Sequence, residues 1–570
     1  MPTRAEALAI LTGPAGPFAI GTADIGGQTL RVYSTAPGSL RDVWVGSERH
    51  GDVDFLVFQD QRITYTEAHR QVRTLVAHLA AGGVGRGDRV AIAMRNYPEW
   101  VLSFWAVQSL GAVVVSMNAW WTGSESEYGL SDSGATALLA DGERYERVRG
   151  EILDRLDIPL VVVVRPEVAL DTGHVTWSDV MTGPDPASLP VVEIAPDDDA
   201  TILYTSGTTG VPKGAIGSNR NHITNVFNTI VGGAMQSIMA GPPPEGTEPG
   251  GRPVALWTFP FFHIAGVTGI CVLTAAGGEI VTQYRFDAAD ALEIVEREGA
   301  TTVAGVPTVI RSMLAHPDAA TRDLSRLSGI SQGGSPVPPD SIAKIETDFG
   351  GKVSPANGYG LTETTSAIIA NSGTGYFEHK DSVGLPMPVT DVRVVDEDGN
   401  DLPNGSVGEL WVRGPNNVRG YWNKPEATAE SFTDGWFHTG DAARIADDGY
   451  VYVVDRIKDM VLRGGENVYC AEVEAAIFEH PDVVDVAVIG LPDPHLGEEV
   501  AAVVTLQPGA TLDVDGLRTF LTGTLAAFKI PSALFVHPTE LPRNATGKVL
   551  KKDLRAQFWE SRSRNVNDRQ

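Results

Sequence analysis

Apolar and polar positions follow two periods along this chain, and the switches between them mark out its elements. Ile63-Thr64-Tyr65-Thr66-Glu67 predicts a strand that gives way to a helix running toward Leu79. Asp88 to Met94 predicts a strand, and Pro98 then sits where a first helical residue is favoured. That helix runs through Trp105 toward Leu110, Gly111 ends it, and Ala112 to Val115 is the next strand. Ala200 to Tyr204 reads as a buried strand, with a second short apolar run at Ala215-Ile216. Asn219 to Met239 predicts a helix with Ser218 as its N-cap. Leu256 to Pro260 predicts a strand, Asp287 to Glu298 an amphipathic helix, and Thr301 to Ala304 another strand. Strands alternating with helices over this length imply parallel sheets covered by helices. Residues 1–60 are weakly patterned, and Gly241 to Pro253 reads as a turn-rich surface loop.

From about Val383 the texture changes. Short β runs, Val392 to Val395 and Gly408 to Val412, are separated by Asp-Gly and Asn-Gly turns. Val451 to Val454 predicts a strand, and the main boundary falls after it, at Asp455-Arg456-Ile457-Lys458-Asp459. The remainder, 459–570, reads as a compact α+β domain with a frayed polar tail from Ser561.

Composition narrows the classes. A length of 570 residues suggests about two to four domains. With 44 basic and 72 acidic residues the formal charge is −28, which disfavours nucleic acid and repels an anionic membrane on average. Peripheral membrane contact would need a local patch. Two cysteines, Cys271 and Cys470, point to a reducing compartment without a disulfide framework. The first 27 residues lack the pattern of a signal peptide, and no window reaches the length of a transmembrane helix. The expectation is a cytoplasmic protein, with a homodimer left open.

The chemistry centres on Tyr204-Thr205-Ser206-Gly207-Thr208-Thr209-Gly210-Val211-Pro212-Lys213-Gly214. Such a loop turns backbone N–H groups and hydroxyls toward an anion, and Lys213 adds a point charge suited to phosphate. It departs from the ordinary P-loop, because Pro212 precedes Lys213 and Gly214 stands where a Ser or Thr would hold magnesium. The string resembles the signature loop of the adenylate-forming superfamily: acyl-CoA synthetases, firefly luciferase and peptide-synthetase adenylation domains.

Further motifs arrive in that family's order, from about residue 60 to residue 551. Phe259-Pro260-Phe261-Phe262-His263-Ile264-Ala265-Gly266 resembles the acyl-pocket motif, which implies that His263, Gly266 and Gly333 line the pocket, with Thr268 and Gly269 as further small linings. No carboxylate stands there to meet an amino-acid ammonium. Gln332-Gly333-Gly334-Ser335 and Asn357-Gly358-Tyr359-Gly360-Leu361-Thr362-Glu363-Thr364 resemble the adenine and magnesium motifs. The resemblance implies that Tyr359 stacks on adenine, Thr362 contacts AMP, and Glu363 with Thr208 holds Mg²⁺. Asp441, ending Trp436-Phe437-His438-Thr439-Gly440-Asp441, would bind the ribose hydroxyls, with Arg456 near ribose and phosphate. Lys458 would be the hinge. Arg463-Gly464-Gly465-Glu466 would line the CoA tunnel, glycine admitting the pantetheine arm. Lys548, in Pro542-Arg543-Asn544-Ala545-Thr546-Gly547-Lys548-Val549, would be the catalytic lysine, beside Thr205 and Glu363. Many relatives carry Pro where this chain has Cys470; a helix N-terminus can lower a thiol pKa, although a small tolerated residue is the plainer reading.

The implied fold is α/β: residues 1–454 a large domain of parallel, helix-covered sheets with a small β-barrel subdomain at about 383–454, a hinge at 455–458, and a small mobile α+β domain at 459–570. The implied activity is an acyl-CoA synthetase. A carboxylate attacks the α-phosphate of Mg-ATP to give acyl-AMP and pyrophosphate, and CoA then takes the acyl group and releases AMP. Small pocket residues suggest a medium- or long-chain fatty acid, with an aryl or ring-bearing, steroid-like acid as the alternative. A stand-alone adenylating enzyme with another acceptor, a luciferase-like oxygenase, a peptide-synthetase module and a nucleotide sensor are the competing readings. His263 and the short stretch after Lys548 weigh against the module.

Overall fold

The computed structural model describes residues 2–205, 211–241, 251–544 and 547–558. The chain divides into two compact units: Met1–Lys380 with Gly384–Asp391 and Val412–Phe437, and Asp381–Val383 with Val392–Trp411 and His438–Gln570.

The first unit is α/β and holds two large sheets. One has seven strands in the order Lys213–Ser218, Asp199–Thr205, Val113–Ser116, Arg89–Ala93, Ala137–Asp141, Leu160–Val164, Val175–Thr176. All its pairs are parallel except the first, where Asp199–Thr205 turns back on itself as a hairpin. The nine-stranded sheet is parallel through its middle, from Asp54–Phe58 to Ser354–Leu361, and antiparallel at both ends. Continuous apolar runs such as Val113-Val114-Val115 are buried on both faces, as parallel strands require.

Most of the predicted elements are present. The helix Pro98–Ser109 begins on its proline, and Asn219–Ala240 begins under Ser218, whose hydroxyl accepts from Asn221 N. Two differences stand out. The weakly patterned start contains the hairpin Ile20–Ile25/Gln28–Tyr33 and the buried strand Asp54–Phe58, which pairs with Glu279–Thr282. The strand predicted over Leu256 to Pro260 is Val254–Trp257 and stops earlier. Asn96 fixes the chain beyond it in an irregular path: its Nδ2 donates to Phe259 O at 2.9 Å and its Oδ1 accepts from Phe261 N at 2.8 Å.

In the second unit, Val451–Arg456 pairs antiparallel with the run Asp441 to Ile445. A further sheet pairs the long hairpin Val483–Asp493/Gly497–Leu506 with Val461–Arg463 and with Ala533–Val536. The helices Cys470–Phe478 and Val514–Leu521 pack on one face through Val473, Ile477, Leu517 and Leu521.

Candidate active site

The signature string begins and ends on the paired strands Asp199–Thr205 and Lys213–Ser218. Thr205 and Lys213 face each other across its mouth, and Thr205 Oγ1 donates to Lys213 O at 3.4 Å. Ser206, Gly207, Thr208, Thr209 and Gly210 lie outside the described residues. Next to this mouth the hairpin is tied down where Tyr204 Oη donates to Asp132 Oδ2 at 2.8 Å.

Two parallel strands carry the next motifs to the same unit. Gly329–Gly333 pairs with Ser354–Leu361 so that Gln332 faces Asn357 and Gly333 faces Gly358. Gly334 follows at φ +79, a left-handed turn residue, and Ser335 comes after it. Tyr359 pairs with Ile369 just before a bulge. Gly360 stands in that bulge because a Cβ there would lie 1.9 Å from Ser366 O. The short turn Thr362–Thr364 then reverses the chain, with Thr365 and Ser366 at φ 49 and 80. Thr364 Oγ1 holds this reversal, accepting from Leu361 N at 2.8 Å and donating to Ser366 O at 2.8 Å.

That reversal presents Glu363, a buried carboxylate. Its Oε1 accepts from Tyr421 Oη at 2.7 Å. The ring of Tyr421 lies with its centroid 5.2 Å from Lys213 Nζ. The structure thus joins Glu363 and Lys213, 150 residues apart in sequence, through a tyrosine that sequence reasoning missed. Burial, then the nearby Glu363 charge, push the Tyr421 phenol well above its ordinary pKa.

His263 caps the helix Ile264–Ala276, its Nδ1 accepting from Ala265 N at 3.3 Å. Burial pushes its pKa down to about 4, so the ring is neutral near pH 7. The small residues around it have a different basis from the one the sequence suggests. A Cβ on Gly266 would sit 2.1 Å from Pro260 O, so this glycine admits the chain's own backbone rather than lining open space. A Cβ on Gly269 would sit 2.1 Å from the Trp257 ring, so its missing side chain is replaced by an indole. Gly333 differs: its nearest neighbour in that direction is Gly358 O at 3.1 Å. Trp257 Nε1 and Thr268 Oγ1 are both buried with no hydrogen-bond partner among the described residues.

The second unit gathers its own cluster. Asp441 is buried, its backbone pairs with Arg456, and Arg456 Nε meets its Oδ1 at 2.6 Å. Lys548 lies near both: burial, then Arg456, lower its pKa, while Asp459 and Asp441 oppose that shift. The lysine is presented by a tight turn in which Lys548 N donates to Asn544 Oδ1 and Asn544 N donates to Lys548 O, both at 2.9 Å. Ala545 and Thr546 lie outside the described residues. Lys458 is exposed in the turn following Val451–Arg456.

Arg463 and Glu466 face each other across a two-residue hairpin turn, with Gly464 and Gly465 at φ 61 and 86. Consecutive left-handed residues define that turn type, so backbone conformation favours glycine at both positions. Cys470 opens its helix, but the thiol is fully buried, donates to Asp459 O at 3.0 Å, and is pushed up by burial. Burial thus favours the plainer reading of Cys470 as a small residue tolerated in the first turn of the helix.

Comparison with known proteins matches residues 43–422 to the family described as AMP-binding enzyme, and residues 472–548 to the AMP-binding enzyme C-terminal domain. The chain is 37% identical over 497 residues to a feruloyl-CoA synthase from an Amycolatopsis species, covering 87% of this chain and 94% of that protein. It is 32% identical over 530 residues to a long-chain-fatty-acid–CoA ligase of Bacillus subtilis, covering 89% and 92%. Among solved structures it resembles o-succinylbenzoate CoA synthetase of Bacillus subtilis in complex with its acyl-adenylate intermediate. The TM-score is 0.75 at 27% identity, covering 91% of this chain and 98% of that one.

Proposed function

Because the chain belongs to the family of AMP-binding enzymes and is an AMP-forming acid–thiol ligase, we propose that it makes acyl-CoA from a ring-bearing acid with oxygen substituents. The observation that carries this choice of acid is Trp257. Its indole packs against Gly269, and its N–H, like the Thr268 hydroxyl, is buried with no hydrogen-bond partner among the described residues. A phenolic or ether oxygen would satisfy such groups, whereas an alkyl chain would leave each unpaired at about 1–3 kcal/mol. The 37% identical relative is named feruloyl-CoA synthase. A medium- or long-chain fatty acid is the second reading, supported by the relative from Bacillus subtilis.

In this reading the acid is ionised at neutral pH and needs no general base. The protein's task is to hold it in line with the α-phosphate of ATP and offset the charge that develops there. Thr205 and Lys213 flank the triphosphate, Tyr359 faces adenine, and Asp441 takes the ribose hydroxyls with Arg456 beside it. Lys548 brings its ammonium to the reacting phosphate. The carboxylate–phosphorus bond forms as pyrophosphate leaves; the CoA sulfur then bonds the acyl carbon as AMP leaves and the thiol proton is lost. Glu363 suits Mg²⁺, which is commonly held by one or two carboxylates plus substrate phosphates; bound there, the ion would offset phosphate charge. Residues 1–454 act as the catalytic domain and 459–570 as a mobile domain pivoting at 455–458, in the cytoplasm.

A carboxylic-acid panel tests the acid. Pyrophosphate release with CoA should favour hydroxy- or methoxy-substituted cinnamates over decanoate and palmitate by at least about tenfold in kcat/KM. Trp257→Phe, which keeps a ring and removes the N–H, should cost the oxygenated acids roughly tenfold and spare unsubstituted cinnamate. A preference for palmitate would return the fatty-acid reading. Pyrophosphate release undiminished by omitting CoA, with no acyl-CoA formed when it is added, would indicate a different acceptor.

The ribose assignment has its own test. Asp441→Ala should weaken ATP binding by about tenfold or more, since a charged acceptor is lost, and should slow adenylation in parallel. Calorimetry with ATP reads the first effect and pyrophosphate release the second; unchanged values for both would remove Asp441 from the site.

A further inference from the structure

We propose that Tyr421 is a positioning residue: its hydroxyl fixes Glu363 for the divalent cation while its ring seats Lys213 for phosphate. This rests on the reading of Glu363 as the metal carboxylate given above. Three observations lead to it.

The first is the bond itself. Tyr421 is buried and donates to Glu363 Oε1 at 2.7 Å. A hydrogen bond to an ionised acceptor away from water is among the stronger ones. It also occupies only one of a carboxylate's roughly four acceptor positions, leaving the rest for a metal. Among the described residues no hydrogen bond engages Oε2.

The second is the ring. Lys213 Nζ lies 5.2 Å from its centroid, within the range at which an aromatic face attracts a cation. One side chain thus orients two groups of opposite charge that serve the same ligand.

The third is the rigidity of its support. Ile216 N donates to Gly420 O at 3.1 Å, and Trp422 N donates to Gly214 O at 2.7 Å, so the backbone on either side of Tyr421 is bonded to the strand that carries Lys213. Val418 N donates to Glu363 O at 2.8 Å, which ties the same segment to the metal carboxylate. Asp132 anchors the far end, its backbone oxygen accepting from Trp422 Nε1 at 3.0 Å and its carboxylate meeting Lys424 at 3.1 Å. A phenol on a segment bonded to the strand of Lys213 and to the backbone of Glu363 is held in position relative to both.

Tyr421→Phe separates the two roles, since it keeps a ring for Lys213 and removes the hydroxyl. Calorimetric ATP titrations with magnesium and with EDTA, on wild type, Tyr421→Phe, Glu363→Gln and the double variant, read the effect as binding. The magnesium-dependent gain in ATP affinity should fall roughly five- to tenfold in Tyr421→Phe, with the EDTA affinity within about twofold of wild type. In the Glu363→Gln background Tyr421→Phe should add nothing. Tyr421→Leu, which also removes the ring, should lower the EDTA affinity as well. A full magnesium gain in Tyr421→Phe overturns the proposal, as does an equal loss with and without the metal. If Glu363→Gln leaves the gain intact, the metal assignment fails first and the proposal falls with it. If Glu363→Gln abolishes the gain and Tyr421→Phe preserves it, the proposal falls alone.

Discussion

Lys548→Ala is expected to slow acyl-adenylate formation by roughly 10²–10³, the loss typical of one charge-stabilising donor, and to leave thioester formation from supplied acyl-AMP at its wild-type rate. The expectation rests on what surrounds the lysine. It sits half-buried on a turn closed by Asn544, beside Arg456 and Asp441. Asp441 and Arg456 are themselves paired at 2.6 Å, and in the proposed reading the ribose binds at this pair with its phosphate toward the ammonium. Burial first, and then Arg456, lower the lysine's pKa. Its useful form is the protonated one, present below that pKa and lost as pH rises through it. Adenylation should therefore fail at a lower pH than an ordinary lysine would permit, and Lys548→Arg should move that limb upward. Single-turnover measurement of each half-reaction decides the matter; equal slowing of both steps would give Lys548 a structural role.

The fold was legible wherever hydrophobic period and a boundary residue agreed. Pro98, Gly111 and Ser218 each sit at an element end that the apolar pattern also marks, and those helices and strands stand where expected. Legibility failed where burial has no local signature. Phe55 to Phe58 is an apolar run too short to distinguish strand from helix, and its partner strand begins at Glu279. Tyr421 lies among Arg419, Gly420, Trp422 and Asn423, an unremarkable turn-like stretch. Its meaning comes from Glu363, 58 residues away, through a contact that only the folded chain makes.

The pocket shows a subtler limit. A sequence reports that Gly266 and Gly269 are small, but smallness does not say what occupies the space. At Gly266 it is the Pro260 carbonyl and at Gly269 the Trp257 indole. Direction of the missing Cβ decides between a cavity and close packing, and direction is a property of the backbone. Cys470 makes the same point for electrostatics. A helix N-terminus can lower a thiol pKa, yet full burial raises that of Cys470, in keeping with the plainer reading of a small tolerated residue.

Gly465→Leu should give the reverse of Lys548→Ala: adenylation spared, and thioester formation from acyl-AMP reduced by roughly 10² or more, the scale of a misplaced reacting group. Gly465 occupies the second position of a two-residue hairpin turn at φ 86, with no heavy atom within 4 Å of where its Cβ would point. Among the described residues a Cβ there meets no steric opposition. The cost to folding is the left-handed conformation, about 1–2 kcal/mol for a non-glycine residue. Gly465→Ala serves as the control for that cost, since it carries the same backbone penalty with almost no reach. Were the glycine needed only for its turn, Ala and Leu would slow the thioester step alike. Should the open space be the path of the pantetheine arm, Leu would block it and Ala would largely spare it. Asn, which tolerates φ > 0, should come nearest to wild-type stability. Melting temperatures of the three variants, read beside their single-turnover thioester rates, separate turn strain from a filled tunnel. Equal thioester rates for Ala and Leu would remove Gly464-Gly465 from the CoA path and leave it a hairpin turn.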